Sequence, residues 1–240
     1  MTQHHLLGRN DTEVLWFQRR SFLQAAAAWT AAGSIAGAHA QSRSNIVDLT
    51  GDATVNGQKL LPNQTLQTGD QIVTGPRSTL IFAIGNSAFH MRQNTSMMVE
   101  RGSSINAVSL LRLLTGAVVS VWGKGGNRQI VTPTLTAGIR GTGVYTEMFA
   151  NQDGARTYFC NCYGVVDLAA GAEREVSEST YHQAVWGEAA LDGRSALTPA
   201  RAINHTDEEL ENLALLIGER TAWQISGKKG SKSDNYGFIG

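Results

Sequence analysis

The two cysteines of this chain, Cys160 and Cys162, are the residues whose type and spacing could do chemistry. Residues 156–163 have the length and composition of a β-strand, in which alternate side chains point to the same side. Both sulfur atoms would then face one way, together with Tyr158, and two thiolates so placed can ligate one metal ion. The opposite face would carry the side chains of Phe159, Asn161 and Tyr163.

A disulfide between the two cysteines is a second possibility, and reduced side chains packed in a core are a third. Alternate Cα atoms of a regular strand lie about 6.5–7 Å apart, which is the upper limit for a disulfide, so this bond would require a kink. Gly164, two residues beyond Cys162, could supply it as part of a bulge. All three interpretations stay open at the level of the sequence.

Three histidines follow residue 40 and could complete a four-coordinate site: His90, His182 and His205. His182 lies on, or at the end of, the next predicted strand, and His205 lies just before a predicted helix. A site made of Cys160, Cys162, His182 and His205 would suit zinc, iron or copper by ligand type.

His90 has a different set of neighbours in the sequence, namely Met91, Met97 and Met98. Thioether and imidazole groups together can bind copper(I). Methionines on strands more often fill a hydrophobic core, so a copper site at His90 is the less favoured interpretation.

Motifs of established catalytic mechanisms are absent from the sequence: there is no Walker loop, HExxH, GxSxG or paired-carboxylate pattern. Residues 123–128 are rich in glycine but lack the GKS or GKT ending, which favours a hairpin loop. A cysteine in the middle of a strand also lacks the helix amino terminus that activates thiols in redox enzymes. We therefore expect a non-catalytic protein, with a periplasmic thiol- or metal-dependent redox enzyme as the alternative.

Residues 1–40 resemble a twin-arginine export signal. Arg19 and Arg20 precede an alanine-rich apolar stretch, and residues 38–40 (AHA) form a small-x-small cleavage site before Gln41. The apolar stretch is shorter than the roughly 20 residues of a membrane-spanning helix, and we expect no membrane span in the mature chain. The expected location is the periplasm. The twin-arginine route carries proteins that fold before transport, often with a cofactor in place, so the cysteines could be occupied before they meet an oxidising compartment.

The formal charge of the chain is balanced, with 20 Lys and Arg residues against 20 Asp and Glu residues. Binding to nucleic acid depends on a positive field that releases counterions from the phosphates. We therefore expect no nucleic-acid partner.

Short apolar runs alternate with turn residues from residue 45 to about residue 183. Asn56 and Gly57 form a strong hairpin signal, because both residues tolerate positive φ. Strands that follow one another without helical periods between them favour an antiparallel fold over a parallel α/β fold. The predicted class is all-β: an antiparallel β-sandwich or jelly-roll-like domain at residues 45–185, followed by one C-terminal α-helix.

The helix is predicted within residues 200–220. Thr206 and Glu209 make a capping box at its start, and Gly218 is a natural end. Its apolar residues share one face: Leu210, Leu213, Leu216 and Ile217. Residues 226–240 are polar and rich in glycine, and we expect a flexible tail.

Five segments of the predicted β domain occur in an order that extends over more than a hundred residues. They are residues 51–57 (GDATVNG), 66–75 (LQTGDQIVTG), 78–82 (STLIF) with 85–87 (GNS), 113–118 (LLTGAV) and 131–142 (VTPTLTAGIRGT). In this order they resemble the FecR domain, the periplasmic β-rich module of sensor-regulators of iron uptake. The last segment is the most distinctive of the five.

The resemblance implies a β-sandwich-like fold and a binding or signal-relaying role without catalysis. The implied partner is a protein or a small ligand in the cell envelope, in envelope or iron-related signalling. Regulators of this family place a sigma-factor-binding segment and a transmembrane helix before the domain, whereas here an export signal begins within the first twenty or so residues. We therefore expect a free periplasmic binding protein. A structural envelope-assembly domain that uses a sheet edge and the helix at residues 206–217 is a further alternative.

The residues Arg140, Gly141 and Thr142 within the last segment have a structural interpretation that we prefer to ligand binding. A glycine in a turn permits positive φ, and the arginine can pair with a nearby carboxylate.

Overall fold

The computed structural model describes residues 44–104, 106–151, 154–189 and 194–230. The predicted export signal at residues 1–40 and the last ten residues of the predicted tail lie outside the described residues.

The described residues form fifteen strands and two C-terminal helices, so the predicted all-β class with a C-terminal helix is confirmed. The strands are β1 Ile46–Thr50, β2 Ala53–Val55, β3 Gln58–Lys59, β4 Gln71–Thr74, β5 Thr79–Ile84, β6 Ser87–Met91, β7 Ser96–Arg101, β8 Val108–Thr115, β9 Ala117–Trp122, β10 Arg128–Val131, β11 Thr136–Asn151, β12 Gly154–Ala170, β13 Glu173–Ser179, β14 Gln183–Glu188 and β15 Leu197–Ala200. The helices are α1 Asp207–Leu216 and α2 Ala222–Ser226.

The strands belong to one hydrogen-bonded sheet with the order β1-β5-β6-β9-β11-β10-β8-β7-β4-β2-β3, and β12 extends from β11 to pair with β13 and β14. Neighbouring strands are antiparallel except for the parallel pair β8 and β10. The sheet curls, so that apolar side chains from distant strands, such as Ile72 of β4 and Phe82 of β5, belong to one core. A single curled sheet thus takes the place of two separate sheets.

The two faces of this sheet bury different sets of side chains. The inner core lies on the concave face and includes Phe82, Phe89, Met97, Trp122 and Phe159. The outer cluster lies between the opposite face and the helices and includes Tyr145, Tyr158, Cys160, Cys162, Leu210, Leu213 and Trp223. Because successive side chains of a strand point to opposite faces, neighbouring residues belong in turn to the inner core and to the outer cluster.

Local turn chemistry explains the hairpin between β2 and β3. Asn56 and Gly57 both have positive φ, at 51° and 78°, as the Asn-Gly pair predicts.

The longest hairpin joins β11, of 16 residues, to β12, of 17 residues. It is interrupted by a register shift between Arg140 and Gly143. Here Gly141 has φ 69°, and the Arg140 guanidinium donates through Nε to Oδ2 of Asp167 at 3.0 Å. The expected positive φ of Gly141 and the expected pairing of Arg140 with a carboxylate are both present, although the residues form a bulge inside a long strand instead of a turn.

The C-terminal region contains the predicted helix and more. Thr206 caps α1 with the predicted reciprocal bonds to Glu209. Strand β14 extends three residues beyond the predicted β domain, and β15 lies outside it. The short helix α2, which the sequence analysis did not predict, has a second capping box at Thr221 and Gln224. Among the described residues, neither helix is long and apolar enough to cross a membrane.

Candidate metal centre

Cys162 lies at a bulge in β12. On the β11 side, Val144 pairs with Asn161 and Gly143 pairs with Tyr163, which leaves Cys162 as the extra residue. On the other side, β12 pairs with β14 up to Asn161 and with β13 from Gly164. The bulge therefore lies where the pairing partner of β12 changes from β14 to β13.

The bulge alters the predicted alternation at one position. Cys160 and Cys162 share the outer cluster with Tyr158, as predicted, and Phe159 faces the inner core. The prediction for Tyr163 is wrong: this side chain lies in the outer cluster with the cysteines, because the extra residue reverses the alternation beyond it. The two cysteines are free, so the disulfide interpretation does not describe this structure.

His182 lies in the connection between β13 and β14, directly beside the bulge. It has φ 42°, and its backbone N–H donates to the Cys162 carbonyl at 2.9 Å. Positive φ is uncommon for a residue with a side chain and is tolerated where surrounding contacts determine the conformation. This backbone conformation accompanies an imidazole that is fully buried beside the two thiols.

His205 comes from the segment between β15 and α1. Its Nδ1 lies 2.6 Å from the Ile203 carbonyl, and its ring stacks on Tyr145 with centroids 4.8 Å apart. The backbone contact and the stacked ring fix the orientation of Nε2, which faces the cysteines.

All four predicted ligand residues meet in one place. Their ligand atoms lie within 4.8 Å of one another, although Cys160 and His205 are 45 residues apart in sequence. The two sulfurs are 3.8 Å apart, Cys160 Sγ lies 3.7 Å from His182 Nδ1, and Cys162 Sγ lies 3.4 Å from His205 Nε2. The two imidazole nitrogens are 3.0 Å apart. The structure thus brings together the predicted residues, and metal binding itself stays a prediction.

The outer nitrogen of each imidazole has an acceptor that assigns its proton. His182 Nε2 lies 2.8 Å from Asp207 Oδ1, and His205 Nδ1 faces the Ile203 carbonyl. In the neutral rings these nitrogens carry the N–H, so His182 Nδ1 and His205 Nε2 present lone pairs to the cluster. Both inner nitrogens face the two sulfurs and are placed to act as ligands.

Asp207 holds one of these rings and is itself held from two sides. Its Oδ2 accepts from Tyr181 Oη and from Lys229 Nζ, each at 2.9 Å. A carboxylate that fixes a ligating histidine is a recurrent partner in metal sites. The sequence analysis predicted only a helix start around Asp207 and did not predict its contact with His182. The sequence signal for it is an acidic residue two positions after His205.

Aromatic rings and burial close the site. Trp223 of α2 stacks on His182 with centroids 5.5 Å apart. Cys160, Cys162 and His182 are fully buried, and His205 is 2% exposed. Four donors without solvent access are typical of a structural metal site, since catalytic sites keep one position open.

The environment shifts the acidity of two of these side chains. Burial raises the pKa of Cys160, but contacts with Cys162, His205 and His182 outweigh it and leave that pKa well below its usual value. Burial lowers the pKa of His182, while Asp207 and Cys160 raise it by more. Both shifts favour the charged forms that stabilise one another.

His90 belongs to a separate buried group. Its Nδ1 lies 3.1 Å from Glu209 Oε1, which Arg92 Nη2 also contacts at 2.5 Å. Met91 and Met97 lie in the inner core, on the opposite side of the sheet. The sheet therefore separates the imidazole of His90 from the thioethers of Met91 and Met97, which makes copper binding by this group less favoured still.

Comparisons with known proteins give little beyond this geometry. No family model matches the chain, and no curated protein matches it. Two crystal structures of a candidate anti-sigma factor from Parabacteroides distasonis ATCC 8503 are similar to it, with 10% and 11% sequence identity and TM-scores of 0.43. The similarity covers 54% and 56% of this chain, and 58% and 60% of those chains. The match thus spans less than two thirds of their length, and a similarity of this size carries no conclusion about function.

Proposed function

We propose that this protein is an exported, non-catalytic β domain of the FecR type, in which Cys160, Cys162, His182 and His205 bind one zinc ion. The observation that carries the proposal is the spacing of the four ligand atoms. The proposed partner is a protein or small ligand in the cell envelope, in envelope or iron-related signalling.

Four of the six distances between ligand atoms agree with a tetrahedron of ligands around one ion. Zn–S bonds of about 2.3 Å and Zn–N bonds of about 2.05 Å require edges of about 3.8 Å between sulfurs, 3.6 Å between sulfur and nitrogen and 3.3 Å between nitrogens. The corresponding distances are 3.8 Å, 3.4 and 3.7 Å, and 3.0 Å. These four distances differ from the ideal edges by at most about 0.3 Å. The other two pairs, Cys160 with His205 and Cys162 with His182, lie within 4.8 Å of each other, so these donors would have to approach by up to about 1.2 Å to reach the tetrahedral edge.

The donor set favours zinc over the other metals considered. Two thiolates and two imidazoles in a tetrahedron suit zinc, whereas copper(II) prefers a tetragonal arrangement. A two-iron cluster with the same residues would place both histidines on one iron and both cysteines on the other. Here each imidazole lies as close to a sulfur as the sulfurs lie to each other, which is the arrangement around a single ion.

Burial supports a non-catalytic role. Both thiols are fully buried, so a protein disulfide or a small oxidised substrate has no approach to them. This observation favours metal binding over the alternative of a thiol redox enzyme.

Export is supported by the sequence of residues 1–40 alone, and the FecR assignment by the five ordered segments. A twin-arginine substrate folds before transport, so the zinc ion would be bound in the cytoplasm, before export. Replacing Arg19 and Arg20 together by lysine should retain the protein in the cytoplasm. Periplasmic recovery of that variant at the wild-type level would remove the support for export.

Metal content and thiol reactivity, measured on one sample purified without chelators, test the zinc site. We expect about one zinc per chain and thiols that react only after the metal is stripped. The Cys162→Ser and His205→Asn variants should lose the stoichiometric zinc. His90→Gln is the matched control, because His90 is buried on the same face of the sheet but contacts Glu209, and it should keep the metal. A wild-type protein that takes up no zinc and has two reactive thiols would contradict the proposal.

A further inference from the structure

We infer that the bound ion holds the C-terminal segment, residues 201–230, on the outer face of the sheet, and that loss of the ion opens this segment while the strands stay folded. The inference rests on the proposed zinc site. It adds a conformational consequence: metal occupancy would decide whether the outer face is covered.

The helices of the C-terminal segment depend on contacts with the sheet. Helix α1 has 10 residues and α2 has 5. Isolated helices shorter than about 12–15 residues are marginal in water, because few hydrogen bonds follow the costly first turn. A segment that leaves the sheet should therefore also lose its helical hydrogen bonds.

The strands do not depend on the C-terminal segment in the same way. The buried members of the inner core end at Leu197, and none of them belongs to residues 201–230. The buried apolar residues of the segment, Leu210, Leu213, Ala214 and Trp223, all belong to the outer cluster. Opening the segment would thus leave the inner core intact.

The metal site is the joint between the two parts. Three of its ligands, Cys160, Cys162 and His182, belong to the sheet and its connections, and the fourth, His205, belongs to the segment. Asp207, the first residue of α1, bonds to His182 across the same joint, and Lys229 from the end of the segment bonds to Asp207. The ion would thus hold the start of the segment through His205, and the Lys229–Asp207 ion pair joins the end of the segment to its start.

Loss of the ion removes one link between the two parts. The coordination bonds that would join His205 to Cys160, Cys162 and His182 are no longer present. The other contacts of the segment remain: the Arg92–Glu209 ion pair, the Asp207–His182 bond, the Tyr158 hydroxyl with the backbone of Arg201 and Ile203, and the apolar side chains of the outer cluster. We therefore expect frequent opening of the metal-free protein, with Tyr145, Tyr163 and Tyr181 uncovered in the open state.

Hydrogen exchange followed by mass spectrometry on the purified protein tests this inference. Three samples are compared: zinc-loaded, stripped with a chelator, and stripped then reloaded with zinc, with the metal content of each measured in parallel. Stripping should accelerate exchange in peptides that cover α1 and α2 by at least about tenfold, with changes below about twofold in β5 and β9, and reloading should reverse the effect.

The results separate the two proposals. If zinc binds but exchange in α1 and α2 is the same in the loaded and stripped samples, the inference is wrong while the zinc site stands. If β5 and β9 accelerate as much as the helices, the ion stabilises the whole fold and the inference is again wrong. If zinc does not bind, both proposals are wrong. The Asp207→Asn variant, which keeps all four ligands, should show intermediate protection of α1 at limiting zinc; wild-type protection there would contradict the role of Asp207 in the joint.

Discussion

The inner core and the outer cluster are built on opposite faces of the same strands, yet they are stabilised in different ways. The inner core consists of apolar side chains such as Phe89, Trp122 and Phe159, which need only burial. The outer face also buries two thiols, three imidazoles and the Arg92–Glu209 ion pair. A buried polar group is costly unless it has a partner, so this face depends on specific pairings and, in our proposal, on an ion.

This difference has a consequence for how the molecule responds to change. Substitutions in the inner core should act equally with and without zinc, because the inner side chains and the site lie on opposite faces of the sheet. A substitution in the outer cluster should change stability or zinc binding through the loss of one specific hydrogen bond, ion pair or metal ligand. The following experiments test this contrast, from the largest expected effect to the smallest.

Phe159→Ala should cause the largest loss of stability. Phe159 is fully buried in the inner core, between Tyr158 and Cys160 along the strand but on the other face. We expect the free energy of unfolding to fall by about 3–5 kcal/mol, in both zinc-loaded and stripped protein, as measured by urea denaturation. Val176→Ala, at a side chain 63% exposed, is the control and should change stability by less than about 0.5 kcal/mol. A loss that appears only in the loaded protein would show that the two faces are not independent.

Glu209→Gln should lower the free energy of unfolding by about 3 kcal/mol, because it leaves the buried Arg92 guanidinium without its carboxylate. Glutamine can still serve in the capping box, so the helix start is retained. Glu208→Gln is a matched control on the exposed side of the same helix and should be nearly neutral. Equal stability of the two variants would mean that the Arg92–Glu209 pair contributes nothing.

Acid should destabilise the protein in two steps that belong to the outer face. Burial and Arg92 lower the pKa of His90, so the unfolded chain takes up this proton first and stability declines as the pH falls below about 6.5. Burial raises the pKa of Glu209, but Arg92 and His90 outweigh it and place that pKa at about 2. Its stabilising contribution is complete above about pH 4.3, the unfolded value, and is lost as the pH falls towards 2.

Thermal midpoints measured from pH 7 to pH 3 check these signs. His90→Gln should flatten the decline at the upper end of the range, and Glu209→Gln should flatten it below about pH 4.3. A wild-type thermal midpoint that rose on acidification would show that the predicted signs are wrong.

Asp207→Asn should weaken zinc binding by about 10- to 100-fold without removing a ligand, because Asp207 orients His182 and makes it a better donor. Competition with a chromogenic chelator measures the change. Glu208→Gln, one residue further along α1, should bind zinc as the wild type does. Unchanged affinity in Asp207→Asn would show that the ring is held by its other contacts.

Arg140→Ala should have the smallest effect, at most about 1 kcal/mol, because the Arg140–Asp167 pair is largely exposed on both sides. Zinc content should not change. A large loss of stability, or loss of binding to a partner captured from the periplasm, would favour the ligand-contact interpretation of residues 140–142 over the structural one.

The sequence by itself determined the features that depend on local physics. Alternating apolar residues gave the all-β class, Asn56 and Gly57 gave the first hairpin, and the box at Thr206 gave the start of α1. These signals need only backbone geometry and neighbours within a few residues. The choice of Cys160, Cys162, His182 and His205 as a set also came from the sequence, because the chain has two cysteines and only three histidines after residue 40.

Tertiary structure decided what long-range pairing controls. The bulge at Cys162, which turned Tyr163 outward, results from β12 changing partners from β14 to β13. Such a shift is set by the combined registers of four strands, and no short window of sequence contains them. For the same reason the sequence could not place Asp207 on His182: the hydrogen bond joins residues 25 positions apart, and it forms only when the sheet and the C-terminal segment meet.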